Sequence, residues 1–210
     1  PLNSADTLHY RFTYPANVRE RAMAVIRQAD AAYEAVRATL DAEAGPPLVA
    51  DLTDVSVEHA GVTAWRKIRM DLTDQHDSMG LLRVFAHETT HAFALQVTDR
   101  KIHANARATG FFGEGLAEWV AFEVTKEPER RAVSRRLAAA LWARHRPEFE
   151  EFADETRLRE RFDPIFHYCL GETWVAALVE VAGRRAPGDV LRAMARPTAP
   201  RGLTPPEFWQ

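Results

Sequence analysis

The sequence predicts an α+β fold: a small mixed sheet with one long helix in the N-terminal part, then a central helix, then a part built of helices alone. Three observations carry that expectation. Period-two alternation is confined to the region before residue 73, as in Tyr10-Arg11-Phe12-Thr13-Tyr14. Apolar residues recur at helical spacing over 17–44, and from residue 79 onward the periodicity is helical wherever it can be read. At 210 residues, 46% hydrophobic and 27% charged, the chain is long enough for one core, and no Gly/Ser-rich or Pro-rich linker divides it.

Taken in order, His9 to Tyr14 reads as a first strand with Tyr10, Phe12 and Tyr14 on one side, ended by Pro15. Asn17 and Glu20 have the spacing of a capping pair, and Ala22, Val25, Ile26, Ala29, Tyr33, Val36 and Leu40 form the apolar stripe of a helix that runs to Gly45-Pro46-Pro47. Leu48 to Leu52 and the stretch around Val55-Ser56-Val57 read as short strands. Trp65 to Leu72 alternates Ile68, Met70 and Leu72 against Lys67, Arg69 and Asp71, as expected of a half-exposed strand at a sheet edge. Asp74 to Ser78 is a turn with N-cap candidates for a helix over about 79–97. Residues 98–110 lose the pattern and read as a connection long enough to form part of a cleft or lid. Further helices are expected over 111–122, about 129–145 with Val133, Leu137 and Leu141 inward, 148–156, 165–182 ending at Gly183, and 188–195. The result is one domain over 1–196, with an α/β part over about 8–97, a helical part over about 98–196, and a Pro-rich tail at 197–210.

The net charge of −3 gives no reason to expect nucleic acid or an anionic membrane surface as a partner. Arg130, Arg131, Arg135 and Arg136, followed by acidic residues at 148–155, read as a solvated pair of helices. No run of about 18 apolar residues is present, so no membrane span is expected, and Pro1-Leu2-Asn3-Ser4 has neither the basic segment nor the apolar run of a signal peptide. One cysteine, Cys169, excludes an internal disulfide and a thiolate cage, so a metal bound here must use histidine and carboxylate. Cys169 itself reads as a small buried hydrophobe.

The stretch with chemistry is His87-Glu88-Thr89-Thr90-His91, inside the apolar run from Leu81 to Leu95. With 8 histidines in 210 residues, chance supplies about 0.03 copies of such a pentapeptide. Histidines at i and i+4 project from one helix face and can turn onto one metal ion, while the adjacent carboxylate of Glu88 can take a proton from water. Position 94 is Ala and position 97 is Val, so a three-histidine extension is absent. Instead Gly113-Glu114-Gly115-Leu116-Ala117-Glu118-Trp119 offers two carboxylates one turn apart: Glu114 as third ligand, and Glu118 as acceptor for the second N–H of a ligating imidazole. The flanking glycines fit a close approach of two helices.

HETTH followed at this distance by GEGLAEW resembles the gluzincin zinc metallopeptidases, the thermolysin-like group, and its compact bacterial members with an EGLAE second helix. The resemblance covers 87–91 and 113–119, and more loosely the order of elements. It implies a zincin-like fold and a peptide or protein substrate. Zn2+ would be held by His87, His91 and Glu114, with Glu88 as general base and Glu118 orienting a ligand histidine. It also implies an oxyanion donor from the C-terminal part, for which Tyr168 is chosen over the neighbouring His167, although a tyrosine on an apolar helix also serves as core. The Gly-x-Met-Glu-Asn stretch of the aminopeptidase branch does not precede His87, which favours an endopeptidase, and the family habit leans toward an exported protein. His76 and His103 are loop histidines within reach of a cleft. Two other readings stand beside this one: a zinc-binding, non-catalytic module with a regulatory or interaction role, and a helical domain whose histidines are satisfied in the core.

Overall fold

Side-chain alternation decides which face of each strand is buried, and the chain uses it to build one mixed sheet with a single covered face. A computed structural model of the chain describes residues 2–45, 47–55, 60–73, 78–162 and 164–208. Strands β1 (Leu2–Asp6), β2 (Tyr10–Pro15), β3 (Leu48–Thr53), β4 (Gly61–Ala64) and β5 (Lys67–Asp71) pair in the order β1-β2-β3-β5-β4. The β2/β3 and β3/β5 pairs are parallel, and β1/β2 and β4/β5 are antiparallel. Tyr10, Phe12, Leu48, Ala50, Leu52, Ile68 and Met70 point to one face and are fully buried, while Arg11, Val49 and Arg69 point away from it.

The long helix α1 (Arg19–Leu40) connects β2 to β3 and covers that face with its predicted apolar stripe. Asn17 does not cap it: the chain enters through a 3-10 turn over 16–18, and Asn17 Nδ2 donates to Asp54 instead. The central helix α2 (Ser78–Val97) lies on the same face, where Tyr10, Tyr33, Phe85 and Phe93 pack ring against ring. The two threonines of HETTH point away from the histidines. Thr89 Oγ1 lies 3.0 Å from the Tyr10 hydroxyl, and Thr90 Oγ1 donates to Ala86 O.

Two further expectations are overturned in this part. The Trp65–Leu72 strand is interior, because β4 pairs with its outer side through a hairpin turned at Trp65-Arg66, so β4 ends the sheet among the described residues. Trp65 turns that corner at φ 54°, with the Arg100 guanidinium 4.4 Å from its ring centroid. The strand read at His9 to Tyr14 is also not the first, because Leu2–Asp6 precedes it as β1, a strand without apolar alternation that its pairing with β2 defines. The strand expected around Val55–Val57 falls mostly outside the described residues, with Val55 itself in a bend; of the turn expected at 74–78, residues 74–77, His76 among them, lie outside them, and Ser78 is the first residue of α2.

The rest is helical: α3 (Lys101–Ala104), α4 (Ala106–Thr125), α5 (Pro128–His145), α6 (Phe149–Phe152), α7 (Glu155–Arg161), α8 (Pro164–Ala182), α9 (Ala186–Ala195) and α10 (Pro205–Phe208). The predicted 98–110 connection is therefore no loop, because α3 and the first turn of α4 occupy it. Thr98, Asn105 and Thr109 satisfy main-chain groups there that regular apolar spacing would not reveal. Val133 faces solvent, while Leu137 and Leu141 turn toward the core beside buried Ala138. Arg130, Arg135 and Arg136 are exposed as expected, but Arg131 is largely covered, and Arg131 and Arg135 pair with the helices beneath them rather than with the acidic segment. They bond Glu172 on α8, whose carboxylate is fully buried, and Arg131 also bonds Glu123 on α4. The tail is draped on α3 and α4 through Asn105 Nδ2 to Pro200 O and Leu203 N to Asn105 Oδ1.

By length and composition α8 could cross a membrane, but one side of it packs against α4 and α5, and Gly171 meets the α4 backbone at Phe111 and Gly115. Asp154, buried at the start of α7, caps that helix by accepting from Thr156 N and Arg157 N, and takes a fork of bonds from Arg107. The Arg107 guanidinium holds its carboxyl below the usual aspartate range. Asp154→Ala is expected to cost about 2 kcal/mol near neutral pH, the sum of a cap and a charged bond. Since the folded pKa is depressed, that stability is present above the unfolded value and lost as pH falls through the folded one. The difference between denaturant melts of wild type and variant should therefore begin to shrink only below about pH 4 and go on shrinking as pH falls through the depressed folded value.

Candidate metal centre

Helix α2 brings His87 and His91 onto one face, one turn apart, and α4 crosses it with Glu114 opposite both. His87 Nε2 and His91 Nε2 lie 3.0 Å apart, and each is 3.2 Å from the same Glu114 oxygen, Oε2. A small tetrahedral ion with bonds of about 2.0–2.1 Å spaces its ligand atoms by about 3.3 Å, so the triangle has nearly the dimensions of one face of such a shell. The three residues form a group that could hold a metal ion.

The electrostatics point the same way. Burial opposes a charge on His87, but Glu114 and Glu118 on its two ring nitrogens outweigh burial and carry its pKa up to about 10. Burial also works against ionised Glu114, and the two histidines still hold its carboxyl well below the ordinary range. Two carboxylates set against the His87 imidazole thus favour positive charge at this point. The donor set, two imidazoles and one carboxylate, suits zinc and other borderline divalent ions.

Behind the triangle, His87 Nδ1 donates to Glu118 Oε2 at 3.3 Å, and Glu118 Oε1 accepts from Arg83 Nη1 at 2.6 Å. His87 is thereby fixed with Nε2 toward Glu114. Glu88 projects to the other side, beneath β4. Thr63 Oγ1 lies 2.7 Å from its Oε2 and 3.0 Å from its main-chain oxygen, and a methyl at Gly61 would come within 2.7 Å of the carboxylate. The sheet edge therefore fixes the position of Glu88.

A cleft of about 560 Å3 opens in front of the triangle, lined by Glu88, His91 and Glu114, the β4 edge, Arg159 and Tyr168. Its volume suits a peptide segment or small ligand. Tyr168 reaches it from α8, with its ring centroid 5.9 Å from that of His87. Burial first, then the charge of Glu114, raises the pKa of its hydroxyl, so it stays a donor at neutral pH. His167 stacks behind Tyr168 with its side chain in the interior toward Glu155, 3.8 Å away, and does not line the cleft. His103 is exposed on the cleft rim. Cys169 is buried, and burial pushes its thiol up to about 11. The flanking glycines differ: Gly115 is required where α4 touches the α8 backbone, whereas a methyl at Gly113 would meet Ile102 at an ordinary 3.8 Å.

Sequence reasoning missed Arg83, Thr63 and Arg159. Arg83 was readable, one turn before His87 on the same helix face. The other two reach the site through tertiary contacts that leave no local pattern. Comparison with protein-family models finds no match, and comparison with curated proteins finds none either.

Proposed function

We propose that the protein is a zinc-dependent peptidase, in the first instance an endopeptidase, of zincin-like fold and akin to the gluzincins. The observation that carries this reading is the convergence of four elements on one cleft: the His87/His91/Glu114 triangle, Glu88, the end of the sheet at β4, and Tyr168. A zinc ion held by the triangle would polarise the scissile carbonyl and acidify the attacking water. Glu88 receives the proton of that water and delivers it to the leaving amine. Thr63 holds the Glu88 carboxylate by its hydroxyl, so the base is oriented before substrate arrives. The Tyr168 hydroxyl donates to the oxygen that becomes negative. Edge strand β4, beside Glu88, offers main-chain groups for pairing with an extended substrate across the cleft.

The direct test is hydrolysis of a peptide library by the metal-loaded protein, with cleavage stopped by a chelator and restored by zinc. Products that persist after complete metal removal, or no products from any peptide at full zinc occupancy, refute the reading. The hydrogen bond to His87 Nδ1 gives a second expectation, independent of turnover. Glu118→Ala should weaken zinc affinity about 10- to 100-fold, because the imidazole loses the partner that fixes its tautomer and orientation. Competition with a chromogenic chelator measures this, and an unchanged affinity removes Glu118 from the role.

A further inference from the structure

The cleft is acidic at its centre, with Glu88, Glu114 and Glu118 all facing it, and the arginines that line it among the described residues are Arg83 and Arg159. Arg83 is committed to Glu118, with Glu127 3.7 Å away on its other side. Arg159 differs. Its Nε pairs with Glu155, and nearly half of the side chain remains exposed where α7 meets the cleft, on the side that also carries Tyr168.

Its position is built in. Asp154 and Arg107 pin the start of α7, and Glu155 fills the space left by the missing side chain of Gly110 on α4. Any side chain at 110 would overlap the Glu155 carboxylate that orients Arg159. Burial tends to lower the pKa of Arg159, but its bond and ion pair with Glu155 raise it on balance. Arg159 lines the same cleft as Tyr168 and Glu114, and its charge bears on both. With Nε engaged by Glu155, the Nη groups are the ones that can form a fork for a second carboxylate.

Building on the peptidase reading, we infer that Arg159 is a specificity residue that binds a carboxylate of the peptide substrate, supplied by its chain terminus or by an acidic side chain. Arg83 is spent on Glu118, which leaves the half-exposed guanidinium of Arg159 as the cleft arginine open to an incoming carboxylate among the described residues. With it, the carboxylate is drawn to the α7 side, and the rest of the peptide is left to lie across Glu88 and the β4 edge.

The test measures binding, so it does not depend on turnover. Three hexapeptides labelled with an uncharged BODIPY dye share one neutral sequence: a C-terminal amide containing Gln, the same peptide with a free C-terminal carboxylate, and the amide with Glu in place of Gln. Their dissociation constants are read by anisotropy on zinc-loaded Glu88→Gln protein, alone and combined with Arg159→Gln or Arg159→Lys, with thermal unfolding confirming that each variant is folded. One carboxylate peptide should bind about 5- to 10-fold tighter than the neutral amide, a modest gain because the guanidinium is half exposed. The preference should vanish in Arg159→Gln and survive in part in Arg159→Lys. Whichever carboxylate peptide gains identifies the source. Equal binding of all three peptides, binding of none, or a preference that persists in Arg159→Gln overturns the inference. A carboxylate preference together with failure of the whole peptide library would refute the peptidase and keep the role of Arg159, whereas library cleavage without preference would do the reverse.

Discussion

Glu88→Gln should lower peptide hydrolysis by about 10²- to 10⁴-fold, the range associated with one positioned general base, while the protein keeps its fold and its zinc. The reason is geometric. Glu88 is not one of the three residues whose donor atoms form the triangle, so an amide at this position removes no ligand. Glutamine has nearly the same shape, fits beneath Gly61, and its amide oxygen still accepts from Thr63. What it lacks is a basic oxygen able to take a proton. The measurement is kcat/KM on a quenched peptide together with the zinc content of the same sample. Activity within threefold of wild type at full occupancy would remove Glu88 as the base, and loss of zinc along with activity would make its role structural.

The half of the site carried by α2 and α4 was legible because helical periodicity is local. Spacing of i and i+4 fixes His87 with His91 and Glu114 with Glu118 before any tertiary contact is known. The sheet was legible where alternation was strong, as at Tyr10, Phe12, Ile68 and Met70. It failed at β4, a strand of four small residues whose hairpin turn, Trp65-Arg66, contains none of the Gly, Asn or Asp that usually mark such a turn. Missing β4 turned an interior strand into an edge and hid Thr63. The segment over 98–110 failed for another reason. Its helices are held by Thr98, Asn105 and Thr109 bonding main-chain groups, so polar composition imitated a loop. His167 and Tyr168 precede Gly171 by four and three residues and so share its side of α8. Spacing therefore could not tell which of them lines the cleft, and the crossing with α4 decides it.

That crossing is the second place where a small change should have a large effect. A Cβ on Gly115 would overlap the main-chain carbons of Gly171, and one on Gly171 would overlap Phe111 O, so the helices touch backbone to backbone. Neither neighbour is a flexible side chain that can swing away; α4 and α8 would have to separate. Gly115→Ala is therefore expected to destabilise by about 3 kcal/mol or more, at the upper end of overpacking costs and well beyond the gain in helix propensity of about 1 kcal/mol. For a chain of this size that corresponds to a fall in Tm of roughly 6–12 °C. Gly113→Ala is the internal control. It lies two residues away on the same helix, its methyl would meet only Ile102 at 3.8 Å, and it should leave Tm unchanged or raise it. The damage from Gly115→Ala should also extend beyond stability. Glu114 is the adjacent residue on α4 and Tyr168 lies one turn before Gly171 on α8, so wedging the helices apart moves the tyrosine hydroxyl relative to the triangle. A misplacement of about 1 Å can cost about 10²-fold in rate. Folded Gly115→Ala protein, assayed well below its Tm, should thus retain zinc and lose turnover. Unchanged turnover would place the oxyanion donor on an element other than α8.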